Sequence, residues 1–143
     1  MAVRPIPEGY HTVTPYMTVR DAARAIEFYK RAFGAVEIAV HPGPDGKIMH
    51  ADLRIRDSVL MLADQERQFG SLSQQSTGDS GVGLHIYTED VDSAFDRALK
   101  AGATEETPVG DRFWGDRYGK LVDPFGNRWS IGTHTRDLRA KNL

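Results

Sequence analysis

Histidine, aspartate and arginine alternate with apolar residues in one stretch that is typical of a β-strand. In residues 48–55, His50, Asp52 and Arg54 occupy every second position. Because successive side chains of a strand point to opposite faces, these three residues share one face. An imidazole can act as a general base near neutral pH, and a guanidinium can hold an anionic group. The pattern therefore predicts His50 as a candidate catalytic residue and Asp52 and Arg54 as candidate ligand-binding residues.

A second histidine lies in a similar pattern later in the chain. His85 and Tyr87 alternate with Leu84 and Ile86, so the apolar pair is expected to face a core and the other two side chains the opposite way. His85 is the second candidate general base, and Tyr87 a candidate ligand-binding residue. The same alternation assigns three more ligand-binding candidates to polar strand faces: Tyr16, Arg128 and Ser130. A polar, aromatic and ionisable set suits a ligand cavity better than a dry core.

Residues 112–118 concentrate aromatic and charged side chains. Three aromatics, two arginines and one aspartate occur within this RFWGDRY segment. Aromatic faces beside guanidinium groups form stacking platforms for planar or anionic molecules. Trp114 is therefore a further candidate ligand-binding residue. The alternative is that Trp114 plugs the opening of a sheet as an ordinary core residue.

Two similar stretches, offset by about 69 residues, must position these side chains. In the first, Asp21 can cap a helix whose apolar residues recur at helical spacing, and Gly34 can close it. Asp90 and the run VDSAFDRALKAGA repeat this helix. The predicted strands, in chain order, are residues 12–19, 37–40, 48–55, 58–62, 84–88, 105–109, 118–122 and 128–133.

The repeat predicts an α+β fold in which one β-α-β-β-β unit is used twice. The first module spans residues 10–64 and the second spans residues 81–135. Residues 65–80 are polar and rich in Gly, Ser and Gln without periodicity, which predicts a linker loop. Residues 136–143 form a C-terminal tail.

Charge balance and amino-acid usage exclude several classes of function. The 143 residues include 18 Lys and Arg against 20 Asp and Glu, a net charge of −2, so no nucleic-acid or membrane partner is expected. The absence of cysteine excludes disulfides, thiolate nucleophiles and Cys-ligated metals. No apolar stretch has the length of a signal peptide or a membrane span, which favours a cytoplasmic protein.

The duplicated unit carries three family-like motifs. They are the Asp-to-Phe-Tyr element at 21–29, the helix start Asp90-Val-Asp and the turn DPFGNRW at 123–129. Together they resemble the vicinal oxygen chelate superfamily, which includes glyoxalase I, extradiol dioxygenases, fosfomycin resistance enzymes and bleomycin-binding proteins. The segments KIMHADLRIRDSVLMLAD and FWGDRYGKLVDPFGNRW resemble its PhnB-like, glyoxalase-like branch.

The resemblance implies the arrangement of the two modules. Each would be a curled mixed sheet with a helix behind it, and the concave faces would enclose a central cavity. A homodimer is also expected, because relatives of this size commonly pair modules across a two-fold axis and two-fold dimers are the commonest assembly.

The resemblance also implies where metal-dependent relatives bind a divalent ion. They place one ligand on each of the first, fourth, fifth and eighth strands, and the matching positions here are Thr14, Met61, Gly83 and Ser130. None of these is a strong ligand for a divalent metal. We therefore expect no metal cofactor at the usual site.

An atypical metal site is the alternative. His50, Asp52 and His85 combine imidazole and carboxylate groups that bind transition metals. Otherwise the histidines are expected to hydrogen-bond to water or tyrosine, and Asp52 to pair with Arg54 or another arginine.

Three functions fit these expectations. The first is a small-molecule-binding protein that holds a planar or aromatic compound between its modules without metal, as bleomycin-binding relatives do. The second is a glyoxalase-like lyase or isomerase acting on a small carbonyl substrate, with His85 or His50 as general base and Arg54 or Arg128 on an anionic group. The third is an accessory protein with a vestigial cavity. The missing metal ligands favour the first function, with the second as its alternative.

Overall fold

The computed structural model describes residues 3–66, 70–78 and 81–137. The chain divides into two compact units, Met1–Gly78 and Asp79–Leu143. Each unit contains one open four-stranded sheet and a long helix. The predicted α+β class and the repeated β-α-β-β-β order are confirmed.

The first unit follows the predicted order and adds one short helix. Its elements are β1 Tyr16–Val19, α1 Ala22–Phe33, β2 Val36–Pro42, β3 Ile48–Ile55, β4 Ser58–Asp64 and α2 Gln74–Thr77.

The second unit repeats the order without a counterpart of the short helix among its described residues. Its elements are β5 Leu84–Tyr87, α3 Val91–Ala101, β6 Thr104–Asp111, β7 Asp116–Val122 and β8 Arg128–His134.

Both sheets share one topology, in which the first strand of the unit lies beside the last. The strand orders are β1-β4-β3-β2 and β5-β8-β7-β6, and the β1–β4 and β5–β8 pairs are parallel. Tyr16 lies opposite Met61, and at the same offset His85 lies opposite Ser130. The internal repeat seen in the sequence is therefore a repeat of strand register.

The helices begin and end at the predicted residues. Asp21 accepts a hydrogen bond from the Arg24 amide at the start of α1, and Asp90 accepts one from the Ser93 amide at the start of α3. Gly34 follows α1 with φ 69°, a left-handed conformation that glycine adopts without the penalty of a side chain.

A side chain from the last strand of each unit holds the start of the helix. Asp64 Oδ1 accepts a hydrogen bond from the Ala22 amide at 2.8 Å, and Asp64 Oδ2 accepts one from the Ile48 amide at 2.7 Å. In the second unit, Thr133 Oγ1 accepts a hydrogen bond from the Val91 amide at 2.9 Å. These bonds satisfy amides that a helix start leaves unpaired, and they fix the helix against the parallel strand pair.

The helix-facing side of each sheet is apolar, as the alternation predicted. Ala51 and Leu53 of β3 are fully buried, whereas His50, Asp52 and Arg54 lie on the other face. In the second unit the corresponding strand residues are at most 4% exposed: Leu121, Trp129 and Ile131.

The first strand is shorter than predicted. Residues 12–19 were expected to form it, but β1 begins at Tyr16, and Val13, which precedes the strand, is 84% exposed. Pro15 has no amide hydrogen, so its backbone can only accept a hydrogen bond. Its carbonyl accepts one from the Met61 amide, next to the start of the β1–β4 pairing.

The predicted linker, residues 65–80, is partly ordered where it is described. Glu66 and Ser71 form an isolated antiparallel β-bridge, and residues 74–77 form α2. Ser73 is fully buried, and its hydroxyl accepts a hydrogen bond from the Ser76 amide at the start of this turn. Ser73, one of the serines that suggested a flexible linker, therefore caps this short helix. Residues 67–69 and 79–80 of that linker, and 138–143 of the predicted tail, lie outside the described residues.

The aromatic segment 112–118 is a hairpin turn between two strands. Its C-terminal part, from Asp116 onward, belongs to β7. The Arg112 amide donates to the Asp116 carbonyl, and Gly115 takes a φ of 96° within the turn. The two strands therefore extend further into this segment than the sequence predicted, and the turn between them is shorter.

Candidate functional site

His85 is the centre of a polar and aromatic cluster in the second unit. Its Nδ1 lies 2.6 Å from the Ser130 hydroxyl on the neighbouring parallel strand. The ring stacks on Tyr118, with centroids 5.8 Å apart, and contacts Tyr87 edge-on at 4.5 Å. Two strands and the β7 hairpin arm therefore hold one imidazole in a defined orientation.

The position of His85 depends on a glycine. A Cβ at Gly132 would lie 3.2 Å from His85 Cε1 and 3.4 Å from the Arg117 carbonyl oxygen. The absence of a side chain at this point of β8 lets the imidazole lie against the sheet backbone.

The environment of His85 favours its neutral form. Partial desolvation by its surroundings lowers the pKa of the imidazole, while the charge of Asp116 raises it by a smaller amount. His85 is therefore neutral near pH 7 and able to accept or donate a hydrogen bond at Ser130.

A pocket of about 330 Å³ opens beside this cluster within the second unit. His85, Tyr118 and Ser130 contribute to its lining. Its charged lining residues are Glu106, Lys120 and Arg128, and Arg128 Nε lies 3.2 Å from Glu106 Oε2. With His85 neutral, two cations and one carboxylate leave the lining with a net positive charge.

Trp114 lies next to this pocket rather than in its lining. Its ring contacts Tyr118 edge-on at 5.3 Å and Phe113 edge-on at 5.1 Å. It is 37% exposed, so it is not the core plug that was the alternative. Trp114 instead contacts Tyr118, the ring that stacks on His85.

The first unit holds a different cluster on the equivalent face. Tyr16 Oη lies 3.0 Å from His50 Nδ1, and His50 Nε2 lies 2.6 Å from Asp52 Oδ1. Asp52 Oδ2 also accepts a hydrogen bond from the Tyr10 hydroxyl. The expected tyrosine partner of His50 is present, but the hydrogen-bond partners of Asp52 are His50 and Tyr10 rather than an arginine.

The remaining predicted site residues are placed as follows. Arg54 is exposed and lies opposite Val59 and Val36 in the first sheet. Tyr87 is 63% exposed at the end of β5. The prediction that one ligand contacts residues of both modules stays a prediction.

Four aromatic or charged residues of these clusters and of the pocket were not predicted individually: Tyr10, Glu106, Tyr118 and Lys120. Tyr118 and Lys120 alternate along β7 with buried Gly119 and Leu121, so the alternation used for the other strands identifies them once β7 is delimited. Tyr10 lies outside every strand, and no periodic signal indicates that it contacts Asp52.

The donor groups at the implied metal positions do not fit a divalent ion. Gly83 has no side chain and Met61 offers only a thioether. Thr14 donates its hydroxyl to the His11 carbonyl, and the Ser130 hydroxyl is hydrogen-bonded to His85. Divalent metals in such sites require imidazole or carboxylate ligands. In residues 3–66, 70–78 and 81–137, no group of three or more histidines and carboxylates is arranged to hold a metal.

These features define the class of protein to which the chain belongs. Residues 10–131 match the family model for the Glyoxalase/Bleomycin resistance protein/Dioxygenase superfamily, and the chain belongs to this superfamily. The membership predicted from the motifs is thereby confirmed.

Particular relatives agree with this assignment. An uncharacterized protein of Mycobacterium tuberculosis (strain H37Rv), Rv0887c, is 47% identical over 134 residues, which cover 92% of this chain and 79% of that protein. The crystal structure of TioX from Micromonospora sp. ML1 is similar with a TM-score of 0.67 at 25% identity, covering 87% of this chain and 98% of that chain. A PhnB protein from Bacillus cereus shares the fold, with a TM-score of 0.68 at 18% identity over 86% of this chain and 99% of that chain.

The described helices carry no sign of a membrane span. None of them combines the length and the hydropathy needed to cross a bilayer.

We predict that His85 and His134 titrate on opposite sides of the usual histidine pKa. His134 contacts Asp137 and Asp116 at 2.7 and 2.8 Å, and these hydrogen bonds raise its pKa, whereas burial lowers that of His85. The stability that His134 contributes is therefore present below about pH 6.5 and is lost as the pH rises through the pKa of His134 in the folded protein. The stability that His85 contributes is present above about pH 6.5 and is lost as the pH falls through the pKa of His85 in the folded protein. Imidazole NMR signals followed through a pH titration measure both, and coincident titration curves would contradict this assignment.

Proposed function

We propose that this protein binds a small planar or aromatic molecule carrying negative charge, in the pocket beside His85. The observation that supports it most directly is the pocket of about 330 Å³ lined by the rings of His85 and Tyr118. Aromatic walls of this kind stack on planar ligands, and pockets of this volume accept drug-sized molecules.

Charge and hydrogen bonding refine the proposed ligand. The lining contains two cationic side chains, Lys120 and Arg128, and one carboxylate, Glu106. This net positive charge favours an anionic ligand. Ser130 and neutral His85 add a donor and an acceptor at the pocket wall. Binding of this type requires neither a nucleophile nor a metal, in keeping with the unsuitable donors at the implied metal positions.

Naphthalene-2-sulfonate, a planar aromatic anion, is a suitable probe for calorimetric titration. Replacing Tyr118 by Leu should weaken its binding by about 1 to 3 kcal/mol, roughly 5- to 150-fold, because a ring of the pocket wall is lost. Tyr118→Phe should bind like the wild type, since it keeps the ring. Trp114→Ala should have a smaller effect than Tyr118→Leu, because Trp114 acts through Tyr118.

Two controls make this test specific. Tyr87→Leu should weaken binding less than Tyr118→Leu, because Tyr87 contacts the His85 ring but is not part of the pocket lining. Neutral naphthalene-2-methanol should bind more weakly than the anion. Equal affinity of wild type and Tyr118→Leu for the anion would refute the proposed pocket.

A second candidate function is a glyoxalase-like lyase or isomerase. It is favoured by one observation, the neutral His85 held 2.6 Å from Ser130, because a neutral imidazole can take a proton from a small carbonyl substrate. On methylglyoxal, His85→Ala should lower the turnover rate about 10²- to 10⁴-fold, whereas His134→Ala should leave it unchanged. Absence of turnover by the wild type, or an unchanged rate in His85→Ala, counts against this candidate.

We also propose that the protein acts in the cytoplasm as a homodimer without a resident divalent metal. The support is the family resemblance and the donor set described above. Light scattering should then give about twice the chain mass of 15.9 kDa, and elemental analysis should find no stoichiometric metal. A 15.9 kDa species, or about one dialysis-resistant Zn, Ni, Fe or Mn per chain, would contradict the respective part.

A further inference from the structure

Four side chains of the first unit form one continuous hydrogen-bonded chain. It runs from Tyr16 Oη to His50 Nδ1 at 3.0 Å, from His50 Nε2 to Asp52 Oδ1 at 2.6 Å, and from Asp52 Oδ2 to the Tyr10 hydroxyl. Its inner part is shielded, since the Asp52 side chain is 14% exposed and that of His50 is 29% exposed. This cluster belongs to the first unit, whereas the pocket beside His85 belongs to the second.

The partners of Asp52 determine which nitrogen of His50 carries the proton. An ionised carboxylate accepts hydrogen bonds and donates none. Its Oδ2 accepts the Tyr10 hydroxyl, and this hydrogen bond raises the pKa of Tyr10 to about 12, so Tyr10 stays a donor. In the neutral tautomer that fits these partners, Oδ1 accepts Nε2–H of His50 and Nδ1 is left to accept the Tyr16 hydroxyl. The proton of Tyr16 therefore points at a base.

Tyr16, the exposed end of this hydrogen-bonded series of side chains, is accessible to a ligand. Tyr16 is 54% exposed and lies in the lining of a pocket of about 370 Å³ within the first unit. The charged residues of that lining are Asp45, Lys47, Asp64 and Glu66. Three carboxylates against one ammonium favour a neutral or cationic ligand, unlike the anion proposed for the second unit.

We propose that Tyr16 is the reactive group of a second site, a phenol activated by His50 and Asp52 for acid–base chemistry on a small hydroxyl or carbon acid that carries an ammonium group. In the forward step the Tyr16 proton moves to His50 Nδ1, and Tyr16 Oη takes the proton of the bound molecule. The bound molecule becomes one charge more negative, and the imidazolium formed at His50 is balanced by Asp52. His50 and Asp52 are positioning residues, since they act on the ligand only through Tyr16.

The same activation makes Tyr16 a nucleophile, which can be measured without knowing the ligand. The probe is 4-(2-aminoethyl)benzenesulfonyl fluoride, which carries an ammonium group. Tyr16 Oη attacks the sulfur, the S–F bond breaks, fluoride leaves and the phenolic proton passes to His50. Peptide mass spectrometry of the full chain at pH 7.5 then gives the labelling rate of each tyrosine.

Tyr87 is the internal control for exposure. It is 63% exposed, more than Tyr16, and it contacts His85 edge-on, while His85 Nδ1 is bonded to Ser130 and not to a tyrosine hydroxyl. We expect Tyr16 to react about 10-fold faster than Tyr87 or more, since positioned bases contribute about 10²- to 10⁴-fold. His50→Gln and Asp52→Asn should each reduce the Tyr16 rate toward that of Tyr87 and leave the Tyr87 rate unchanged.

The outcomes separate the parts of the proposal. Equal rates at the two tyrosines, labelling of Lys47 in place of Tyr16, or a Tyr16 rate unaffected by both substitutions would overturn the activated phenol. If circular dichroism shows that His50→Gln is unfolded, Asp52→Asn decides, because it keeps the size of the side chain. Neutral benzenesulfonyl fluoride reacting at Tyr16 as fast as the cationic probe would overturn the preference for an ammonium group.

Discussion

Parallel pairing between the first and last strands of each unit is the constraint on which both clusters depend. It places Tyr16 opposite Met61 and His85 opposite Ser130, although each pair is far apart in the chain. A parallel pair cannot be closed by a tight turn, so the connection must run through the helix and the remaining strands. The Asp64 and Thr133 hydrogen bonds to the helix starts hold this connection against the pair.

The two units place different side-chain groups on the same scaffold. The equivalent register position holds a phenol in one unit and an imidazole in the other, Tyr16 and His85. The phenol is joined to the Asp52 carboxylate through His50, whereas the imidazole lies beside two tyrosine rings and partial desolvation lowers its pKa. The charged residues of the two pocket linings differ in net sign as well. Repetition of the fold therefore does not repeat the side-chain chemistry that it positions.

Strand alternation predicted which residues share a face, because that pattern is local. It placed His50, Asp52 and Arg54 together on one face of β3, opposite the buried Leu53. Hydrogen-bond partners could not be predicted in this way. The bond from Tyr10 to Asp52 joins a segment without periodicity to a strand, and the Ser130 bond to His85 depends on the parallel register. The ordered part of residues 65–80 was missed because serine is common in both caps and linkers.

The central claim is that the face of the second unit around His85 is a ligand site. Amide and imidazole chemical shifts recorded during addition of naphthalene-2-sulfonate test it most directly, because they locate the probe along the sequence. The account predicts the largest and saturable shifts at His85, Tyr118, Lys120 and Ser130, the residues that line that pocket. Shifts that are spread over the surface, or that are concentrated at residues far from this lining, would contradict it.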